Sequence, residues 1–310
     1  MRFDLDVPSW EFLRERRVRE QTVMQSFAFD DSNGVVYIAQ LMQPRRQLTG
    51  ESAPVTWARR AAQGDLAISR VDYTGRLLSS MYLRGFGHGV AIGVEAVGPD
   101  SYLWVETASV RRESDGFGYG TRVGRVRFVP DGVVTYPSSE VEVHQPVQAA
   151  TEVSVSLDAL NRTLLVRCLV GGSYGYSLYG LDAFRAGTYK ALYDVVETGI
   201  TDVFQGHAHF FDKVYRLEGR SGGVTTAPTY VSCFDLRTGK VLQRSLTEAA
   251  RSLTFREPEG LAVQGGAPRL HIGFADGPVG DRTVSLHYLE VPLGPVTRRR
   301  ATRTWWGRTR

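Results

Sequence analysis

Two glutamates separated by one proline form the densest charged motif of this sequence, which reads Arg256-Glu257-Pro258-Glu259-Gly260. Proline fixes its own backbone and favours an extended geometry at the residue before it. A pair of carboxylates can accept hydrogen bonds from ligand hydroxyls or act as acid and base in glycosidic cleavage, and Arg256 can pair with phosphate. A structural ion pair between neighbouring elements is the alternative interpretation of the same residues.

Two further motifs place a histidine beside glycine. His88 lies between two glycines, and His207 follows Gln205 and a glycine. Glycine permits close backbone approach, so either imidazole could contact a ligand or act as a general base; a histidine that merely belongs to a turn is the alternative. His207 and His209 would share a strand face, but no third ligand accompanies them, and we expect no metal.

These motifs predict two sets of site residues. If the protein is a hydrolase, the predicted catalytic residues are His88, His207, Glu257 and Glu259. If it is a binding protein, the predicted ligand contacts are Gln25, His88, Glu95, Glu106, Arg122, Gln205, His207, Arg256 and Glu257.

A long internal repeat explains how residues so far apart could form one site. A strand, a turn such as Asp72–Gly75 and a second strand recur about every 53 to 58 residues. A second set of hairpins, such as the one that turns at Asn33-Gly34, lies between them. Two hairpins per period and five periods predict an all-β fold, a five-bladed β-propeller.

The innermost strands of a propeller open onto one central channel, so the starts of the five repeats should meet at one mouth. Polar or ionisable groups open every repeat, at Gln25, His88, Glu152, Gln205 with His207, and Glu257 with Glu259. A wet channel would need polar groups in any case, which is the alternative to a binding site. The glycine-rich loop from Arg111 to Tyr119 is long enough to be a lid or a specificity loop.

Both ends of the chain are predicted to lie outside the ring. Residues 8–20 mix apolar and charged side chains and predict a short amphipathic helix with Ser9 as its N-cap. The last residues are basic and include Trp305 and Trp306. The predicted divisions are a helical extension over residues 1–22, the propeller over 23–294 and a basic tail over 295–310.

Composition narrows the function further. The net charge is +4, and all but three of the 37 basic residues are arginine, a side chain suited to phosphate and carboxylate ligands, although a high-GC genome would produce the same bias. The two cysteines lack metal-site or disulfide spacing. Walker, GxGxxG, HExxH and GxSxG motifs are absent, and no cofactor is expected. Neither a secretory signal at the start of this sequence nor a membrane span is predicted.

Several of these segments resemble one known propeller family. They are Gln25–Asp30, Gly87–Gly89, Tyr102–Glu106, Phe204–Gly206 and Arg256–Gly260. They are similar to the propeller shared by teichoic acid biosynthesis protein C of Gram-positive bacteria, by receptor-binding proteins of some staphylococcal phages and, more distantly, by helveticin J-type bacteriocins. The resemblance covers nearly the whole chain.

The resemblance implies binding of a teichoic-acid-like cell-wall glycopolymer, by a phage tail receptor-binding protein or a secreted relative. A hydrolase or phosphodiesterase acting on anionic wall polysaccharide is the alternative, and a scaffold that holds partner proteins is a third hypothesis. The expected location is extracellular or in the virion. Other tail proteins could be contacted through the two terminal extensions, and no nucleic acid is expected as a partner.

Overall fold

The computed structural model describes residues 2–220 and 228–291 and contains five β-sheets arranged in a ring. The strands and helices are β1 (Trp10–Arg16), β2 (Met24–Asp30), β3 (Val35–Leu41), α1 (Trp57–Gln63), β4 (Leu66–Asp72), β5 (Leu77–Arg84), β6 (Gly93–Val97), β7 (Asp100–Arg111), β8 (Gly118–Arg127), β9 (Val133–Thr135), β10 (Val141–His144), β11 (Thr151–Asp158), β12 (Thr163–Val170), β13 (Ser173–Gly180), α2 (Leu181–Arg185), β14 (Tyr193–Val196), β15 (Phe204–Phe210), β16 (Lys213–Gly219), β17 (Thr229–Asp235), β18 (Lys240–Leu246), β19 (Glu257–Gln264), β20 (Arg269–Asp276) and β21 (Thr283–Glu290).

Each sheet is one blade, and the predicted five-bladed propeller is confirmed. The blades are β2-β3-β4-β5 with the short β9 added in parallel, β6-β7-β8-β10, β11-β12-β13-β14, β15-β16-β17-β18 and β19-β20-β21-β1. The inner strands contact one another in a closed cycle, from β2 to β6, β11, β15, β19 and back to β2.

Local sequence explains the hairpins that build each blade. The strand β3 is rich in β-branched and aromatic residues, which favour extended backbone. The turn before it places Gly34 at φ 64°, and the Asp30 carboxylate accepts hydrogen bonds from the backbone and side chain of Asn33 at 3.0 and 2.8 Å. Apolar side chains on both faces of the strand then pack into the clusters between blades.

Hydrogen bonds between equivalent positions join the third and fourth blades. Ser154 bonds to His207 at 3.0 Å, Ser156 bonds to His209 at 2.8 Å, and Asp158 accepts from the backbone of Phe211 at 3.0 Å. Each pair is separated by 53 residues. The repeat seen in the sequence is therefore the step from one inner strand to the next.

The inner strands approach one another most closely at one end of the channel. Gly260 has φ 79°, and a Cβ atom there would lie 2.8 Å from the Cα of Ser26 on the neighbouring inner strand. A Cβ at Gly206 would lie 2.9 Å from the Cα of Gly260. Only glycine permits this backbone contact, because any side chain would force the strands apart.

The predicted N-terminal helix is wrong. Residues 10–16 form β1, which pairs antiparallel with β21 and completes the fifth blade, so this segment belongs to the ring rather than to an extension. The exposed edge of β21 offers a row of backbone donors and acceptors, whereas an isolated helix of this length has little intrinsic stability. Two irregularities in the pairing and the φ of 48° at Glu15 break the strict alternation that would have signalled a strand.

Two short helices interrupt the described part of the chain. α1 begins after the N-cap Thr56 and ends at Gly64, and α2 follows β13 directly. Neither of these helices is long or apolar enough to cross a bilayer. The predicted basic tail over residues 295–310 lies outside the described residues.

Gly260→Ala tests the close approach of the inner strands. We expect it to lower the free energy of unfolding by about 2 to 4 kcal/mol, because the new methyl group meets backbone in addition to the unfavourable φ. Gly34→Ala is the matched control: its φ is 64° but nothing lies within 4 Å of the added carbon, so about 1 kcal/mol is expected. Equal losses in urea denaturation would contradict the close contact.

Candidate functional site: the axial basin

Two adjoining cavities lie at the end of the channel where the inner strands begin. The blade-three cavity, of about 650 Å³, is bordered by residues of β11, β13 and β14, whereas the blade-one cavity, of about 810 Å³, is bordered by the segments before β2 and after β3. Both are lined by Gln25, His88, Tyr119, Gln205 and Glu259. We call the two cavities together the axial basin.

Several predicted site residues meet here. Gln25, His88, Gln205 and Glu257 all line the blade-one cavity, although more than 230 residues separate the first from the last. Glu152, at the start of the third repeat, lines the blade-three cavity. The convergence of the repeat openings follows from the ring; their role in binding stays a prediction.

Bulges at the basin end change the direction in which side chains of four inner strands point. The pairing is irregular between Met24 and Ser26 in β2, and equivalent irregularities interrupt β11, β15 and β19. A bulge breaks the alternation of strand faces locally. Gln205 therefore lines the basin, whereas His207, two residues further along, points between blades.

Glu259 is the most unusual group of the basin. Its side chain lines both cavities, yet the residue is only 7% exposed. Within residues 2–220 and 228–291, its carboxylate has no hydrogen bond or ion pair. Burial, together with the nearby negative charge of Glu257, raises the pKa of Glu259 well above its usual range. A buried carboxylic acid facing a cavity is poised to interact with a ligand.

His88 presents a neutral ring to the basin. It is half-buried, stacks on Tyr119 at a centroid distance of 4.9 Å, and meets the ring of Phe117 edge-on at 5.0 Å. Burial lowers the pKa of His88 to about 4. Its Nδ1 atom has no hydrogen-bond partner among the described residues. At neutral pH the ring can offer an acceptor or a donor, but no charge.

Glu106 holds the His88 loop from behind and does not line the basin. Its carboxylate accepts hydrogen bonds from the backbone of Gly89, at 2.6 Å, and of Gly120. A Cβ atom on Gly87 would lie 2.1 Å from this carboxylate, so any larger residue at position 87 would clash with Glu106. Burial raises the pKa of Glu106 to about 7 despite these donors. Its position indicates a structural role under the site.

Four other predicted contacts do not reach the basin. Glu95 is buried between blades and forms ion pairs with Arg125 at 2.8 Å and with Arg185 at 3.1 Å. Arg122 lies on β8 and borders neither cavity. The sequence showed their charge but not the strand face that each side chain occupies.

His207 and Arg256 are the remaining two, and both are buried. His207 bonds to Ser154 of the preceding blade, and burial lowers its pKa well below the usual range. Arg256 has φ 45°, which turns its guanidinium toward the carbonyls of Thr247 and Ala249 at 2.9 and 2.8 Å. Its side chain therefore stabilises the loop around residues 247–249 and does not face the basin.

A cluster around Arg112 forms one wall of the basin. Its guanidinium pairs with Asp115 and, at 2.6 Å, with Glu152, and it lies 4.1 Å over the ring of Tyr119. Glu152 also accepts a hydrogen bond from Tyr174 at 2.5 Å. Arg112 belongs to the long loop that the sequence suggested as a lid or specificity element, but its pairing with Glu152 could not be foreseen.

A second wall is built on Arg167. Its guanidinium lies 3.8 Å from the ring centroids of both Tyr174 and Phe204 and pairs with Glu197 at 2.7 Å. Tyr176 donates a hydrogen bond to the same carboxylate. No sequence feature marked Arg167 as a site residue, because it lies inside an ordinary alternating strand.

The charge of the basin is acidic, although the whole chain is basic. Three arginines line it, Arg112, Arg167 and Arg282, against five acidic side chains, Asp115, Glu152, Glu197, Glu257 and Glu259, of which Glu259 is kept protonated by burial. Arg282 donates to the carbonyl of Gly277 and lies 3.5 Å over the ring of Phe255. The arginines are therefore already engaged by the protein, and acidic side chains outnumber them among the described residues that line the basin.

Known proteins share this architecture. Residues 23–287 match the family model described as the phage 5-bladed beta propeller receptor binding platform domain. A Bacillus subtilis (strain 168) protein named for major teichoic acid biosynthesis, protein C, is 26% identical over 297 residues, which are 90% of this chain and 62% of that protein. The tail fiber of a Staphylococcus aureus phage is similar with a TM-score of 0.66 and 17% identity, over 90% of this chain and 52% of the fiber. The chain spans less than two thirds of either relative.

The neutral state of His88 can be measured directly. We expect its imidazole to titrate with a pKa of about 4 in an NMR pH titration. The unfolded chain takes up this proton near pH 6.5 and the folded chain only near pH 4, so stability is lost as the pH falls through that window. A titration midpoint near 6.5 would contradict the burial of the ring.

Proposed function

We propose that this chain, which belongs to the family of phage five-bladed β-propeller receptor-binding platform domains, binds a teichoic-acid-like cell-wall glycopolymer through the axial basin. The observation that carries the proposal is the convergence of Gln25, His88, Gln205 and Glu259 in cavities of about 650 and 810 Å³. These volumes fall within the usual range for small-molecule sites, about 300 to 1,000 Å³.

The chemistry of the lining suits the sugar part of such a polymer. Carboxylates and amides accept and donate hydrogen bonds to hydroxyl groups, and Trp57, Phe117 and Tyr119 add aromatic surface. Because the basin arginines are already engaged, Arg112 and Arg167 by carboxylates and Arg282 by a backbone carbonyl and an aromatic ring, they are poorly placed to bind phosphate. The proposal therefore assigns recognition mainly to hydroxyl-bearing groups, in contrast to the anionic ligand that the arginine-rich composition suggested.

The relatives support the same kind of ligand. One is named for teichoic acid biosynthesis and the other is a phage tail fiber. We propose an extracellular or virion location for this chain on the same grounds. Contacts with other tail proteins through the terminal segments stay a prediction; the N-terminal segment is engaged by the ring, with Phe3 buried and its backbone bonded to Tyr215 at 3.0 Å.

Cleavage of the same polymer is a second candidate, favoured by one observation. Glu259 is a buried carboxyl with a raised pKa, as a general acid requires, and Glu257 beside it could act as the second carboxylate. Of the four residues predicted for catalysis, His88, Glu257 and Glu259 border the basin and His207 does not.

Replacing two basin amides tests the binding proposal. We expect the double variant Gln25→Ala, Gln205→Ala to bind purified wall teichoic acid at least about tenfold more weakly, because two hydrogen bonds of roughly 1 kcal/mol each are lost. Biolayer interferometry on immobilised polymer measures the dissociation constant. Gln148→Ala, at an exposed glutamine that lines neither cavity, should bind as the unmodified chain does.

The same polymer separates binding from cleavage. Unchanged affinity of the double glutamine variant would contradict the basin as the binding site. Release of soluble fragments by the unmodified chain, abolished in Glu259→Gln, would favour the hydrolytic candidate over simple binding.

A further inference from the structure

We propose that the group recognised at the centre of the axial basin is a primary ammonium carried by the wall polymer, bound by Glu259 together with the side-chain oxygens of Gln25 and Gln205. The inference rests on the proposed function and adds the chemical class of the recognised group. All three side chains line both cavities, so they lie where the two cavities join.

The two glutamines present acceptors to this junction. The Nε2 of Gln205 donates to the carbonyl of Gly219 at 3.1 Å, and the Nε2 of Gln25 donates to the carbonyl of Val23 at 3.5 Å. With their amide nitrogens turned to the backbone, each has its Oε1 atom left for a ligand. An ammonium group carries three donors and no acceptor, which matches two amide oxygens and one carboxylate.

The electrostatics of the junction favour a cation. Glu259 is 93% buried, as its 7% exposure implies, and has no positive partner within residues 2–220 and 228–291. A buried carboxylate is costly unless it is paired. A ligand ammonium would supply a positive partner and so stabilise the ionised form of Glu259, which burial disfavours in the free protein.

Neutral sugar hydroxyls are the competing ligand, because they can also donate to these oxygens. They could use both the oxygens of the junction and the remaining N–H groups of the two glutamines, so the difference between the two ligands is the charge that would pair with Glu259. Glucosamine and N-acetylglucosamine separate the two, since they share the sugar ring and differ in whether the nitrogen is charged.

The test measures binding of these two sugars to the full chain by saturation-transfer NMR and calorimetry. We expect glucosamine to bind at least tenfold more tightly than N-acetylglucosamine, and the preference to disappear in Glu259→Gln, which keeps the shape of the side chain. Glu140→Gln, at an exposed position outside the basin, should keep the preference. Equal affinities for the two sugars, or a preference that survives in Glu259→Gln, would overturn the inference.

A second arm uses wall polymer that bears free amines, before and after their acetylation. Loss of binding on acetylation is the expected result. Binding that persists after acetylation overturns the ammonium inference and leaves the proposed function intact. Absence of binding to the untreated polymer overturns the proposed function itself.

Discussion

The close contact of inner-strand backbones around the axis is the constraint on which the rest of the structure depends. Gly206 and Gly260 bring three neighbouring strands within touching distance at the basin end, where a Cβ atom would meet backbone at 2.9 and 2.8 Å. The residues directly before these glycines, Gln205 and Glu259, must then open onto the same mouth. Polar groups from distant repeats become one site because the strands that carry them cannot separate.

Two buried glutamates show how this scaffold distinguishes support from binding. Glu106 is enclosed by backbone donors from Gly89 and Gly120, so its carboxylate is fully used in holding the His88 loop. Glu259 is buried almost as deeply but faces the cavities without a partner among the described residues. Desolvation is the main cause of the raised pKa of both carboxyl groups. Their surroundings differ: backbone donors enclose Glu106, which indicates a structural role, whereas Glu259 faces the cavities, which favours a role in ligand binding.

The five-bladed ring, and the meeting of its inner strands at one end of the channel, could be predicted from the sequence because both follow from the internal repeat. The direction of individual side chains could not, since a bulge at the basin end sends Gln205 to the cavity and His207 between blades. The backbone φ of 45° at Arg256, which directs its guanidinium to nearby carbonyls, could not be predicted either. Residues 10–16 were predicted as a helix although they form a strand, because their partner, β21, lies at the far end of the chain. The local sequence pattern does not indicate a pairing over that distance.

A crystal structure of the chain with a short teichoic acid oligomer tests the central claim most directly. The account predicts an oligomer seated in the axial basin, with a sugar substituent within hydrogen-bond distance of Gln25, Gln205 and Glu259. An oligomer bound on the outer rim of the blades, or at the opposite end of the channel, would contradict it.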